Sequence, residues 1–273
     1  MNVHISKMPA ASIIIPLFRQ RDVWLAQCLE SALAQTARCE VIVVRSAETP
    51  WSNVALLTAM SKEWSNLHVF SEDRPGIFHF PCAINLGISV AASDRVGLLL
   101  SDDWLEPDCV AACLPHSADI VSTGQSTYFE DGMTLNEAAS QTPSKCAFSA
   151  LTTLEARASY LEHFFLFSKK ALLSVGGLDE SIGNFPGIDD YDLIWTLLEK
   201  GATVQIVEKR LYNYRDHDGD RLTRANPEEA VRNLEKILRK HKLDEPEIQK
   251  VVESHRRWFG KAIYRVLAEA KGS

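Results

Sequence analysis

Val96-Gly97-Leu98-Leu99-Leu100-Ser101-Asp102-Asp103-Trp104 runs from an unbroken apolar stretch into two adjacent carboxylates. An apolar run of this length reads as a strand buried on both faces, of the kind found in parallel sheets covered by helices. It delivers Asp102 and Asp103 to the strand's carboxyl end, where open α/β sheets bind their ligands. Hard divalent cations prefer oxygen ligands, and Mg²⁺ is commonly held by one or two carboxylates plus substrate phosphates. A second reading carries equal weight on this stretch alone. Ser101-Asp102-Asp103 is also a good turn and N-cap for a helix over 104–114.

On the N-terminal side, strands are predicted over 12–17, 40–44 and 67–70, and helices over 22–34, 51–64 and 81–91. In the first helix Val23, Leu25, Ala26, Leu29 and Leu33 recur at helical spacing. Such alternation predicts an α/β doubly wound sheet. On the C-terminal side, strands are predicted over 119–123, 163–167 and 203–207, with a short helix ending at Gly176-Gly177. A helix over 188–200 stops at Gly201, and two more follow over 227–241 and 245–271. The polar stretch 131–151, with Gly132 and Pro143, reads as a loop or flap.

The chain has 273 residues, 46% of them hydrophobic and 24% charged, enough for one sizeable core plus a small appendage. A net charge of -7 argues against nucleic acid as a partner, because that needs a positive field. No stretch reaches the ~18 apolar residues needed to span a bilayer. The first residues carry no apolar run of signal-peptide length, so a cytoplasmic location is expected. Six cysteines include no Cys-x-x-Cys pair. They read as small buried side chains in a reducing compartment.

Two further clusters carry acids. Gly187-Ile188-Asp189-Asp190-Tyr191-Asp192 opens a helix, where the dipole favours carboxylates, or supplies a general base. Tyr212-Asn-Tyr-Arg-Asp-His-Asp-Gly-Asp-Arg-Leu-Thr223 mixes His217, Arg215 and three aspartates, and reads by default as a solvated loop.

In this order and at these distances, the three clusters resemble family 2 glycosyltransferases of the GT-A fold. The resemblance covers about 11–223, on Ser12-Ile-Ile-Ile-Pro-Leu-Phe18, Cys28-Leu-Glu-Ser-Ala-Leu-Ala-Gln-Thr36, Glu40-Val-Ile-Val-Val44 and Ala83-Ile-Asn-Leu-Gly-Ile-Ser-Val-Ala91. Ser101-Asp-Asp103, Val175-Gly-Gly-Leu-Asp-Glu180 and Asp189-Asp-Tyr-Asp-Leu193 continue it. It implies a Rossmann-like mixed sheet flanked by helices over 1–223, with a C-terminal helical extension over 224–273.

The resemblance also implies an inverting transfer from a nucleotide-diphosphate sugar to a glycan or lipid-linked acceptor, in polysaccharide or cell-envelope synthesis. Pro16, Phe18, Arg45, Asn85 and Asp102 fall at donor-binding positions, and Asp102, Asp103 and His217 at those of a Mn²⁺ or Mg²⁺ site. Asp190 falls at the general base, with Asp189 the close second.

Two positions depart from the pattern. Arg45 stands where the family often carries an acid that accepts from uracil, and arginine has only donors. Either Ser46 or Glu48 substitutes, or the base is one that offers acceptors, such as cytosine or guanine. Leu100 stands where many members place another aspartate, which leaves a reduced Asp102-Asp103 motif.

Residues 255–267 are basic and aromatic-rich, which suits a helix packed on the core or on a second subunit of a homodimer. The other reading is peripheral contact with an anionic membrane at the inner face. A nucleotidyltransferase is a rival activity, but Leu17-Phe-Arg-Gln-Arg21 lacks the glycine of a phosphate loop. A non-catalytic nucleotide- or glycan-binding relative is the other rival.

Overall fold

The computed structural model describes residues 8–73, 80–131, 134–182, 189–217 and 227–256, with side chains outside 130–141. Its strands are β1 (Ala11–Leu17), β2 (Cys39–Ser46), β3 (Leu67–Glu72), β4 (Arg95–Leu98), β5 (Trp104–Leu105), β6 (Ile120–Asp131), β7 (Thr134–Gln141), β8 (Glu162–Ser168) and β9 (Val204–Asp216). They form one mixed sheet in the order β3-β2-β1-β4-β8-β6-β9-β5, with β7 hairpinned onto β6. The first four strands are parallel. β8 then runs antiparallel to both β4 and β6, β9 runs parallel to β6, and β5 antiparallel to β9.

Alternation along β1 builds two cores. Ile14, with Ile42 and Val44 of β2, faces α3 (Phe80–Val90), α8 (Asp189–Glu199), α9 (Pro227–Lys240) and α10 (Glu245–Arg256). Ile13, Ile15 and Leu17 face the other way, with α1 (Asp22–Leu33), α2 (Trp51–Glu63) and α4 (Cys109–Cys113). Burial on both faces explains why β1 carries no polar alternation.

Pro16 sits in this central strand without breaking it. The Leu99 amide donates to the Ile14 carbonyl at 3.0 Å, so Ile14 directs its backbone toward β4. Pro16 lies two residues further, beyond the last β1–β4 pair at Ile14 and Leu98, where no ladder bond is lost.

The structure corrects several expectations. Trp104 does not begin a helix: Trp104 and Leu105 form β5, paired with Asn213 and Tyr212 of β9. The helix-cap reading of Ser101-Asp102-Asp103 is therefore removed. The expected flap over 131–151 is β7 followed by α5 (Lys145–Ala150), and an unforeseen α6 (Leu154–Tyr160) packs on α8. The expected strand over 203–207 continues to Asp216, so Tyr212 to Asp216 belong to a strand and not to a solvated loop, while the rest of that expected loop, from 218 on, lies outside the described residues.

The helices after 226 share the α8 core: Leu234, Ile237, Leu238, Ile248 and Val252 pack with Leu193, Ile194 and Leu197. The His241 ring stacks flat on Trp195 at 4.2 Å and lies between the Asp192 and Glu199 carboxylates. These contacts fix the helix that opens with Asp189 and Asp190. The basic segment expected to end this region lies, after Arg256, outside the described residues. No helix among the described residues is long and apolar enough to cross a membrane. The six cysteines are unpaired and all but Cys146 are buried, as their composition suggested.

Candidate active site

The Leu100–Asp103 turn closes on itself through the Asp103 amide and the Leu100 carbonyl. Asp103 is fully buried. Its Oδ2 accepts the Tyr212 hydroxyl at 2.6 Å, and its Oδ1 accepts the Arg215 amide at 2.7 Å. Burial, then the Asp103 charge, push the Tyr212 phenol well above its ordinary value, so it remains a donor. Asp103 thus ties the turn to β9 through two charge-assisted bonds.

Asp102 faces the other way. Its side chain keeps 15% of its exposure, and its Oδ2 lies 3.4 Å from Nε2 of His217. Trp24 of α1 packs on the His217 ring at 4.4 Å. Beneath them the Arg215 guanidinium lies 5.1 Å from the Trp24 ring and 4.9 Å from Trp104. It donates Nε to the Asp102 carbonyl at 3.0 Å and Nη2 to Gln27. Cys28 closes the back of the turn, its thiol donating to the Leu100 carbonyl at 3.3 Å. Burial, then Asp103 and Asp102, push that thiol well up, so no thiolate forms beside the carboxylates.

Asp102 and His217 fit a divalent ion as an oxygen-plus-imidazole pair, a donor set that suits Mn²⁺ better than the all-oxygen preference of Mg²⁺. Among the described residues no three His, Cys, Asp or Glu side chains gather to hold a metal.

Asp190 occupies the first turn of α8. Its Oδ2 lies 3.0 Å from Nε2 of His163 on β8, and a quarter of its side chain is exposed. Its Oδ1 accepts the Tyr191 amide at 2.9 Å. Burial pushes the Asp190 carboxyl up, but the His163 hydrogen bond and charge, with the local amides, outweigh it and hold the acid below its ordinary value.

Asp189 is its opposite. It is buried, and neither carboxylate oxygen has a hydrogen-bond partner among the described residues. Burial, then Asp190 and Asp192, push its pKa well up, so a proton occupies it where Asp190 is ionised. The folded state therefore favours protonated Asp189, a preference that costs nothing below the ordinary value of ~3.9 and grows as pH rises toward the folded value. Asp189→Asn is expected to raise Tm at pH 7, by about 2–4 °C for each kcal/mol recovered. The gain should vanish near pH 4, a pattern that thermal melts at the two pH values check.

The donor-position residues fall at the ends of β1 and β2. Phe18 is half-buried, with the Arg19 guanidinium 5.3 Å from its ring. Arg45 pairs in register with Leu17 of β1 and Ser71 of β3, and its Nη1 donates to the Ser46 carbonyl at 3.1 Å. Ser46 is buried, and its hydroxyl oxygen accepts the Glu48 amide.

Asn85 has a different employment. Its Nδ2 donates to the Leu178 carbonyl at 2.9 Å, and its Oδ1 accepts the Leu178 amide at 2.8 Å. This amide clamps α3 to the Gly176-Gly177 turn. A Cβ at Gly177 would lie 2.2 Å from Asn85 Oδ1, and φ there is +77°. Gly177→Ala is therefore expected to cost about 2–4 kcal/mol, the sum of left-handed strain and displaced hydrogen bonds. Denaturant unfolding measures it.

The structure thus gathers Asp102, Asp103 and His217 at one turn. Asp190 joins them through His163 and Tyr212, to neither of which the sequence reading gave a role. The His163 ring stacks on Tyr212 at 5.1 Å and 28°, and Tyr212 holds Asp103.

The glycosyl transferase family 2 model matches residues 12–179, which include β1, the Asp102-Asp103 turn and the Asn85 clamp. This chain belongs to glycosyl transferase family 2. Curated proteins similar to it include the hyaluronan synthase of Pasteurella multocida, 28% identical over 205 residues, 72% of this chain and 20% of that protein. The chondroitin synthase of Pasteurella multocida (strain Pm70) is 28% identical over 237 residues, 84% of this chain and 23% of that protein. The chain therefore spans between a fifth and a quarter of the length of these two relatives.

Among solved structures, the mannosyltransferase PcManGT of Pyrobaculum calidifontis, in complex with GDP-Man and Mn²⁺, matches with a TM-score of 0.63 at 15% identity, over 98% of this chain and 76% of that one. S. aureus TarS 1–349 with UDP-GlcNAc matches at 0.61 and 16% identity, over 91% and 72%. At these identities the likeness establishes the GT-A fold.

Proposed function

We propose that this family 2 domain is an inverting glycosyltransferase, moving a sugar from a nucleoside-diphosphate donor to a hydroxyl of a glycan or lipid-linked acceptor. The observation that carries the reading is Asp190. It is an ionised carboxylate with a partly open face, joined through His163 and Tyr212 to the Asp102-Asp103 turn. A general base needs to be deprotonated, positioned and within reach of the acceptor hydroxyl.

The chemistry is a single in-line displacement. Asp190 takes the hydroxyl proton as the acceptor oxygen bonds to the anomeric carbon. The bond from that carbon to the diphosphate oxygen breaks, and the nucleoside diphosphate leaves with the electron pair. Attack opposite the leaving group inverts the anomeric centre. Asp102 and His217 would hold the divalent ion, which, when bound, offsets the charge of the departing diphosphate. Asp103 keeps Asp102 in place, and the buried Arg215 cation adds positive charge beneath the turn.

The names of the relatives, hyaluronan and chondroitin synthases, support a glycan acceptor. The two structural neighbours carry different bases, UDP-GlcNAc in one and GDP-Man in the other. Arg45, with donors only, cannot accept from the uracil N3–H, which favours a base read through its acceptors, such as guanine or cytosine. The test is a panel of UDP-, GDP- and CDP-sugars with Mn²⁺, reading nucleoside-diphosphate release and the anomeric configuration of the product by NMR. Binding without turnover of any donor would support a non-catalytic relative instead. Retention of configuration would overturn the displacement.

A further inference from the structure

We propose that His163 is a positioning residue for the transfer reaction, locking the Asp190 carboxylate in the orientation that faces the acceptor hydroxyl and tying it to the donor-side turn. The inference rests on the reading of Asp190 as base. It concerns the second residue of β8, next to the apolar run Phe164–Phe167, where an imidazole gains nothing from the core.

The geometry fixes the ring on several sides. Nε2 lies 3.0 Å from Asp190 Oδ2, and the two side chains keep only 18% and 25% of their exposure. The ring lies against Tyr212 at 5.1 Å and Phe165 at 4.7 Å, which together restrict its rotation. Tyr212 in turn donates to Asp103 at 2.6 Å. One chain of rigid contacts therefore runs from the Asp102-Asp103 turn to the base, and the separation of donor and base is set by packed rings rather than by a loop.

The second ring nitrogen sharpens the assignment. Nδ1 is buried and has no hydrogen-bond partner among the described residues. An ionised Asp190 needs a donor, so Nε2 carries a proton, and Nδ1 is the ring atom that no described residue serves. A fold that leaves a buried nitrogen unserved while the other nitrogen meets a carboxylate has committed the ring to that carboxylate. In the reaction the hydroxyl proton goes to Asp190 and none passes to His163, which remains a hydrogen-bond donor throughout. Among the described residues, the other ionisable groups around the pair include Asp189, Tyr191 and Asp192 on α8, Glu162 on β8, Glu155 of α6 and His255 of α10 against Tyr191, and Tyr212 on β9. Glu162 is itself pushed up to about 7 by burial, so the acidic limb must be read against it.

The experiment compares His163→Leu, His163→Asn, His163→Gln and Asp190→Asn in the full chain, with the donor that the panel identifies. It reads kcat, donor KM, the pH dependence of kcat/KM and nucleoside-diphosphate binding by calorimetry. A glutamine amide reaches near the Nε2 position, whereas asparagine falls short. Leu and Asn are expected to lower kcat by about 10–100-fold, the scale of a misplaced reacting group, with donor KM and nucleotide binding held. Their acidic limb moves to higher pH, because the lost donor no longer favours the carboxylate. Gln recovers most of the rate and returns the limb.

Leu or Asn at the wild-type rate with an unmoved limb, while Asp190→Asn is inactive, would overturn the inference and leave the base reading standing. Gln no better than Asn, with all variants binding nucleotide, would also overturn it. An active Asp190→Asn enzyme would remove both. Should Leu fail to bind nucleotide through misfolding, the Asn and Gln pair decides.

Discussion

Replacing Asp190 with asparagine is expected to lower kcat by about 10²–10⁴, the range that general bases supply. At 1.36 kcal/mol per tenfold step this is roughly 3–5 kcal/mol of transition-state stabilisation. The amide keeps the shape of the carboxylate and an oxygen for the His163 donor, so folding and donor KM should hold while proton removal is lost. The wild-type pH profile follows from the same environment. The loss due to the base comes as pH drops through the Asp190 value, which His163 holds below that of an ordinary aspartate. The acid limb due to this residue should lie below ~3.9, with no loss from it between pH 5 and 8. Asp189→Asn provides the contrast. Burial and the charges of Asp190 and Asp192 push its carboxyl well up and favour the protonated form, and a protonated acid cannot accept the hydroxyl proton. A larger rate loss for Asp189→Asn than for Asp190→Asn would reverse the assignment of the two acids.

The parallel half of the fold was legible because its signal is local. Strands expected over 12–17, 40–44 and 67–70 appear as Ala11–Leu17, Cys39–Ser46 and Leu67–Glu72, since apolar runs bounded by helices have few other solutions. The antiparallel half depends on distant partners. Trp104 and Leu105 are a strand only because β9 lies beside them, more than a hundred residues away. β7, Thr134-Leu-Asn-Glu-Ala-Ala-Ser-Gln141, is polar enough to read as a loop until β6 supplies its hydrogen bonds.

The site divides in the same way. Asp102, Asp190 and His217 stand out as acids and an imidazole in recognisable runs. Tyr212, Arg215 and His163 act by contact with residues far along the chain, and nothing in their neighbouring residues announces it. A polar run containing Tyr212 and Arg215 looked solvated because the aromatic faces that bury it, Trp24 and Trp104, come from α1 and β5. Asn85 lies where the resemblance expects a donor contact, yet its amide is spent on Leu178.

Asp102→Asn is expected to reduce kcat/KM by about 10²–10³ and to weaken Mn²⁺ binding, because the ion's contribution to leaving-group stabilisation is several kcal/mol. The side chain bears little on stability, since its carboxylate keeps partial exposure beside His217. His217→Ala should act in the same direction through the imidazole, costing about 10–100-fold in Mn²⁺ affinity. Asp103→Asn should behave differently. Tyr212 and the Arg215 amide both donate to the Asp103 oxygens, and asparagine offers an acceptor to only one of them. A buried donor is then left unpaired at a cost of about 1–3 kcal/mol, read as a lowered unfolding midpoint. Chelation separates the two roles: EDTA should abolish turnover in the wild type and leave its melting temperature close to unchanged, because Asp103, not an ion, holds the turn. Full activity in EDTA would instead assign the charge of the departing diphosphate to Arg215 and its neighbours alone, and would reduce Asp102 to a partner of His217.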